Sequence, residues 1–219
     1  MHVEFLVEEP SAEAALGNIV PRILGTEVTF AIHPYQGKGD LLNQLPARLR
    51  AYSRWLPKDW SIVILVDADD QDCRSLKARL ERDAQNAGLS TKSSVAAGAC
   101  FQVLNRVAVE ELEAWFLGDI QALHTAYPRV SLTLDKRARY RDPDAIKGGT
   151  WEALERVLQR RGYFPGGLLK ILAAQAISAE MDPARNRSHS FQVFRDGVLA
   201  LCSRGCIDRL DSACSGESE

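Results

Sequence analysis

SIVILVDADDQD, residues 61–72, joins a short apolar run to a cluster of acids. Residues 62–66 are five consecutive apolar side chains, mostly β-branched. A run of that length, closed by polar residues, predicts a strand buried on both faces, as in a parallel sheet. Four carboxylates follow within six residues: Asp67, Asp69, Asp70 and Asp72. Asp67 and Asp69 are two apart, so an extended chain turns both to one side. Open α/β sheets hold ligands just beyond the carboxyl ends of their strands. Two carboxylates converging there repel unless a proton or a cation neutralises them. Hard oxygen donors suit Mg²⁺ or Mn²⁺. The alternative is helix capping, a common task for Asp, and Asp70 or Asp72 is expected to perform it. A cap needs one residue, which leaves the in-phase pair for other work.

The same alternation of strand and helix extends on either side. His2–Val7 reads as the first strand and ends at Glu8 and Glu9. A helix is expected over 12–24, with Ser11 as its cap and Pro21 kinking or ending it. The second strand is expected over 27–32, and the loop 33–39 carries Lys38 between two glycines. Asp40 then caps a helix bearing Leu41, Leu42, Leu45, Leu49 and Tyr52. After the third strand come a helix over 71–87 and a fourth strand within 99–109. This order predicts an α/β fold with a mostly parallel, Rossmannoid sheet flanked by helices. A further helix over 110–127 places Glu113 on the flank of its apolar stripe and turns Glu111 away. Acids in a first turn also suit the helix dipole, which is the plainer reading of both.

Beyond residue 127 the pattern changes. The segment to 143 is loop-like and basic. Three helices are then expected: from a Thr150 cap to Arg161, over 168–181, and from Ser190 onward. The organisation read from this is an α/β domain over 1–143, a helical extension packed on it over 144–203, and a disordered tail over 204–219.

Composition narrows the class. The 219 residues, 46% hydrophobic and 26% charged, fit a soluble globular chain with a sizeable core. No apolar run approaches the roughly 20 residues of a membrane span, and no signal peptide is read at the start. Five scattered cysteines point to a reducing cytoplasm rather than a disulfide framework. Cys202 and Cys206 lack the further ligands of a zinc site. Net charge is −2, but residues 136–187 hold eleven Lys/Arg against six Asp/Glu, leaving about −7 elsewhere. An acidic part holding a metal and a basic part holding phosphates is one reading; solvated helical surface is the other.

Glu8 after a buried strand, a short turn into a helix, and D-x-D closing a later strand together resemble the Toprim domain of topoisomerases, primases and overcoming-lysogenisation-defect nucleases. The set VEEPSAE, QGKGDLL, VDADDQD, EELEAWFLGD, DPDAIKGG and RNRSHSF resembles a bacterial Toprim-like family of unknown function, whose members look like defence proteins working beside an ABC- or AAA-type ATPase. Toprim domains often carry Gly after the Glu, where this chain has Glu9.

The resemblance implies metal-dependent chemistry on phosphodiesters. Asp67 and Asp69 are expected to hold Mg²⁺ or Mn²⁺, Glu8 to be a ligand or general base, and Glu113 with Glu111 to complete a second site. Lys38 suits a phosphate, though the surrounding glycines do not make a P-loop. Arg139, Arg141, Arg185 and Arg187 are candidates for nucleic-acid backbone, with ordinary surface charge as the alternative. The expectation is thus a divalent-metal-dependent nuclease of the cytoplasm. Its expected partners are DNA or RNA, an ATPase in trans and further copies of the chain. Two alternatives stand beside it. One is a receiver-like phosphoacceptor, which shares acids after the first and third strands. The other is a catalytically silent subunit that binds metal or nucleic acid.

Overall fold

The acidic strand end at residue 67 lies near the centre of the sheet. In a computed structural model, residues 1–69 and 71–201 are described. Four parallel strands, β1 (His2–Val7), β2 (Thr29–Pro34), β3 (Trp60–Asp67) and β4 (Val103–Ala108), run in the order β2-β1-β3-β4. β1 thus lies between β2 and β3, with Val7 opposite Leu65. Burial on both faces explains the near-continuous apolar sequence of β3, in which Ser61 to Val66 are all buried.

The connections leave β1 in opposite directions, and this fixes the layers. Right-handed crossovers put α1 (Pro10–Leu24) on one face and α2 (Lys38–Trp55) with α3 (Cys73–Asn86) on the other. Val3, Phe5, Val7, Val63 and Leu65 pack with α1, whereas Leu6, Ile62, Ile64 and Val66 pack with α2 and α3. The crevice between the ends of β1 and β3 is therefore the topological switch point, where α/β sheets take ligands.

The C-terminal helices complete the α1 face. They are α4 (Glu113–Gly118), α5 (Ile120–Ala126), α6 (Thr150–Gln159), α7 (Lys170–Ser178) and α8 (His189–Leu201). Trp115, Leu154, Ile177, Phe191 and Phe194 share one apolar cluster with Phe5 and Leu16. Polar ties hold these helices in place. Arg22 of α1 donates to the Ser178, Ala179 and Met181 carbonyls at the end of α7, a cation on a helix C-terminus. Asp144 accepts from the Ser188 and Ser190 hydroxyls, each at 2.8 Å. Ser190 in turn accepts from the Trp115 indole at 2.9 Å. Asn186 joins the Trp115 carbonyl at 2.8 Å. The motifs DPDAIKGG and RNRSHSF thus hold α8 and α4 together.

Several local expectations need correction. The helix expected over 110–127 is two helices, broken at Asp119. Its side chain caps α5 through the Ala122 amide and takes both arms of Arg185, at 2.8 and 2.9 Å. Arg185 is therefore committed to an ion pair. Ser11 is not the cap of α1: the N-cap is Glu9, whose carboxylate accepts from the Ser11 hydroxyl. Pro21 neither ends nor breaks α1, which runs on to Leu24. Asp40 lies inside the first turn of α2, and its carboxylate accepts from the Gln36 amide. Asp72 does cap α3, accepting from the Ser75 amide at 2.9 Å. Asp70 lies outside the described residues, as do Cys202, Cys206 and the 204–219 tail. Cys73 is a free thiol, as expected of a reduced cysteine. Among the described residues, no helix is long and apolar enough to cross a membrane.

Candidate functional site

Three carboxyl groups meet at the switch point, each delivered by a different element. Glu8 follows the last residue of β1, Asp67 closes β3, and Glu113 opens α4. The Asp67 amide donates to Glu8 at 3.2 Å, which ties the two strand ends together. Glu113 is only 3% exposed. Burial pushes the Asp67 carboxyl well above the carboxylate range, and the charges of Glu113 and Glu8 push it further. The residue as a whole is half-buried. Burial also lifts Glu113, to about 7, with the Glu111 and Glu9 charges adding to the lift and Lys170 opposing it. Glu8 rises for the same first reason, resisted by the Asp67 amide and by Lys38. These are the marks of acids gathered in low dielectric without enough positive charge.

Lys170 is the functional candidate that the sequence reading missed. It begins α7, and its ammonium lies 3.7 Å from Glu9 and 5.1 Å from the centre of the Trp151 ring. Burial works to lower its pKa, but Glu113, Glu9, Glu111 and Asp67 together hold it above the usual lysine value. A signal was present in the sequence: a single Lys at the start of an apolar helix opposes the helix dipole and needs acids to hold it. Glu111 has a second task. It accepts from the Thr150 hydroxyl at 2.9 Å and the Trp151 amide at 2.7 Å, so it caps α6 from outside. Thr150 is therefore the first residue of α6 and not its cap.

Asp69 departs from the in-phase expectation. β3 ends at Asp67, and Asp69 adopts φ 48°, so the extended geometry that would align the two is lost. Its half-exposed side chain turns to Lys38, 2.5 Å away. Lys38 also donates to the Ala68 carbonyl at 3.2 Å. Glu110 is left-handed too, at φ 61°, and its carbonyl accepts from the Asp69 amide at 2.7 Å. Such backbone costs roughly 1–2 kcal/mol per non-glycine residue. It clusters where a site over-determines the chain.

The predicted nucleic-acid contacts lie on the basic segment. Arg139 donates to the Lys147 carbonyl at 3.3 Å. Arg187 sits 3.7 Å from Asp135 and donates to the Arg141 carbonyl at 3.4 Å. Arg139, Arg141 and Lys147 border an open depression of about 440 Å³.

Among the described residues, no three His, Cys, Asp or Glu side chains already stand at metal-ligand spacing. The donor chemistry nonetheless fits a hard divalent ion. Glu8, Asp67 and Glu113 are all oxygen donors, and their pKa values are raised first by burial and then by neighbouring acids, both of which a bound cation offsets.

Fold and site together define a parallel α/β protein with buried acids at its switch point. Residues 7–199 match the family described as Domain of unknown function (DUF4276), and the chain belongs to that family. No curated protein and no solved structure matches the chain.

Proposed function

We propose that this chain is a divalent-metal-dependent nuclease that hydrolyses phosphodiesters at the Glu8–Asp67–Glu113 crevice. The observation that carries the reading is the pair Asp67 and Glu113: two buried carboxyls at a switch point, each raised by burial and crowding. Stability alone does not favour such an arrangement.

Mg²⁺ or Mn²⁺ supplies, when bound, charge for the oxygens at phosphorus and a more acidic water. The chain's own residues do the rest. Asp67, from β3, and Glu113, from α4, would hold the ion. Glu8, tied to the Asp67 amide, accepts the proton of the attacking water or joins the ligands. Lys170, 3.7 Å from Glu9 at the start of α7, would offer its ammonium to a non-bridging phosphate oxygen. Asp69 becomes a further ligand only by leaving Lys38. An ATPase partner in trans and a role in bacterial defence belong to the same proposal and rest on the resemblance alone.

The test is cleavage of plasmid, single-stranded DNA and RNA with Mg²⁺ or Mn²⁺, comparing wild type with Asp67→Asn and Glu113→Gln. Each variant is expected to lose at least about 10²-fold in rate. A substrate cut equally well by wild type and Asp67→Asn overturns the reading. Mn²⁺ binding followed by electron paramagnetic resonance gives an answer without a substrate: wild type binds and Asp67→Asn does not.

A further inference from the structure

The basic segment carries four arginines with no acid to answer them. Arg137, Arg160 and Arg161 line a depression of about 140 Å³ floored by Val130, Leu134 and Tyr140, and no carboxylate lines it. Arg156 stands one turn before Arg160 on the same side of α6, and its Nε and Nη2 are enclosed with no acceptor. Among the described residues none of the four makes an ion pair, whereas Arg185, Arg187 and Arg195 all do. A guanidinium enclosed without an acceptor is costly. Like charges crowded around one depression also repel. A phosphate, with several charged oxygens, answers both.

The place of this depression names the ligand. α6 links it to the acidic site: Glu111 caps the N-terminal end of the helix and Arg160 follows its C-terminal end. Ten residues of helix span about 15 Å. A nucleic-acid strand presents a phosphate about every 3.4 Å of duplex rise. A strand with one phosphate at the acids therefore sets another near the arginines a few nucleotides away.

We propose that Arg137, Arg160 and Arg161 bind a backbone phosphate of a nucleic-acid strand, several nucleotides from the phosphodiester to be cut. The strand's identity as substrate rests on the nuclease reading; the phosphate site rests on the arginines alone.

The experiment is fluorescence anisotropy with labelled single-stranded DNA and RNA of about ten nucleotides, in EDTA, over about 50–200 mM salt. The three arginines are exposed, so R137A/R160A/R161A is expected to fold, and circular dichroism verifies it. The variant should bind less tightly, and its salt slope should fall by about 2, at roughly 0.7 for each lost contact on a single strand. Arginine-to-lysine changes at the same positions should keep most of that slope. Unchanged affinity and slope in a folded variant overturn the proposal. So does loss of inorganic phosphate or pyrophosphate binding while strand binding is unaffected, since the pocket then serves a small anion. Because no metal is present, strand binding is read apart from cleavage. Intact cleavage in Asp67→Asn removes the nuclease reading and leaves this site standing.

Discussion

Two buried carboxylates, one within the sheet and one on the helix beside its carboxyl edge, have opposite fates. Glu4, in the middle of β1, is 6% exposed; Glu113, at the mouth of the crevice, is 3% exposed. Burial works to raise both. At Glu4 it is outweighed by donors: the Tyr52 hydroxyl at 2.8 Å, His33, and His2 at 3.0 Å. Glu4 therefore ends below the ordinary carboxylate value. Arg48 supports the set by donating to the Tyr52 hydroxyl at 3.2 Å. Against burial and its acidic neighbours Glu113 has Lys170 and a backbone amide but no side-chain donor among the described residues, and it ends at about 7. Depth alone does not separate a structural acid from a functional one. The difference lies in whether the fold supplies donors, and the switch point is where it leaves them out.

The largest effect expected from this contrast is on stability. Glu4→Ala strips a buried network of its acceptor and should cost about 3 kcal/mol. Glu113→Gln in EDTA should be neutral or stabilising, because it removes a buried charge that little supports. Urea unfolding of both variants decides the matter. Equal losses would erase the distinction between the two acids.

The pH dependence comes next. Glu4 is held low, so its contribution is present above about 4.5 and is lost as pH falls through its folded value. Glu113 is raised. Between 4.5 and about 7 the folded protein keeps a proton that the unfolded chain has released, so stability falls as pH climbs through that window. The loss is on the order of 3 kcal/mol, or about 6–12 °C in Tm for a chain of this size. Melting curves in EDTA should therefore fall on both sides of a maximum. Glu113→Gln should make the upper limb shallower and leave the lower limb unchanged, the remaining slope coming from Asp67 and Glu8, which are raised as well. Mg²⁺ near pH 7.5 should raise the wild-type Tm, since an ion bound only by the folded state stabilises it. An upper limb of unchanged slope in Glu113→Gln would assign the effect to Asp67 and Glu8 alone.

The contrast also marks what could be read without coordinates. The α/β class and the strand at 61–66 were legible because a strand buried on both faces cannot hide its apolar run. Asp72 was legible as a cap because capping is local. Glu4 also carried a signal: a charge inside a doubly buried strand needs partners. Those partners, His33 and Tyr52, come from β2 and α2 and could not be named in advance. The break at Asp119 was hidden because Arg185, the residue that makes it worthwhile, lies 66 positions later. The divergence of Asp67 from Asp69 was hidden for a related reason. Periodicity assumes that the strand continues, and Lys38 and the Glu110 carbonyl hold Asp69 in a conformation that ends it.

The smallest predicted effect lies at that divergence. Lys38 is mostly buried, but Asp69 is half-exposed, so water screens the pair. Lys38→Met should cost no more than about 1 kcal/mol. Its informative consequence is at Glu8, which Lys38 helps to hold down against burial. Without the ammonium, the Glu8 carboxyl should titrate higher and Asp69 should be free to turn toward the crevice. Carboxyl ¹³C chemical shifts through a pH titration would register both changes. If Glu8 titrates as before in Lys38→Met, the two sides of the crevice are electrostatically separate. Asp67 with Glu113 would then be the whole of the acidic site, and Glu8 a tie between strand ends.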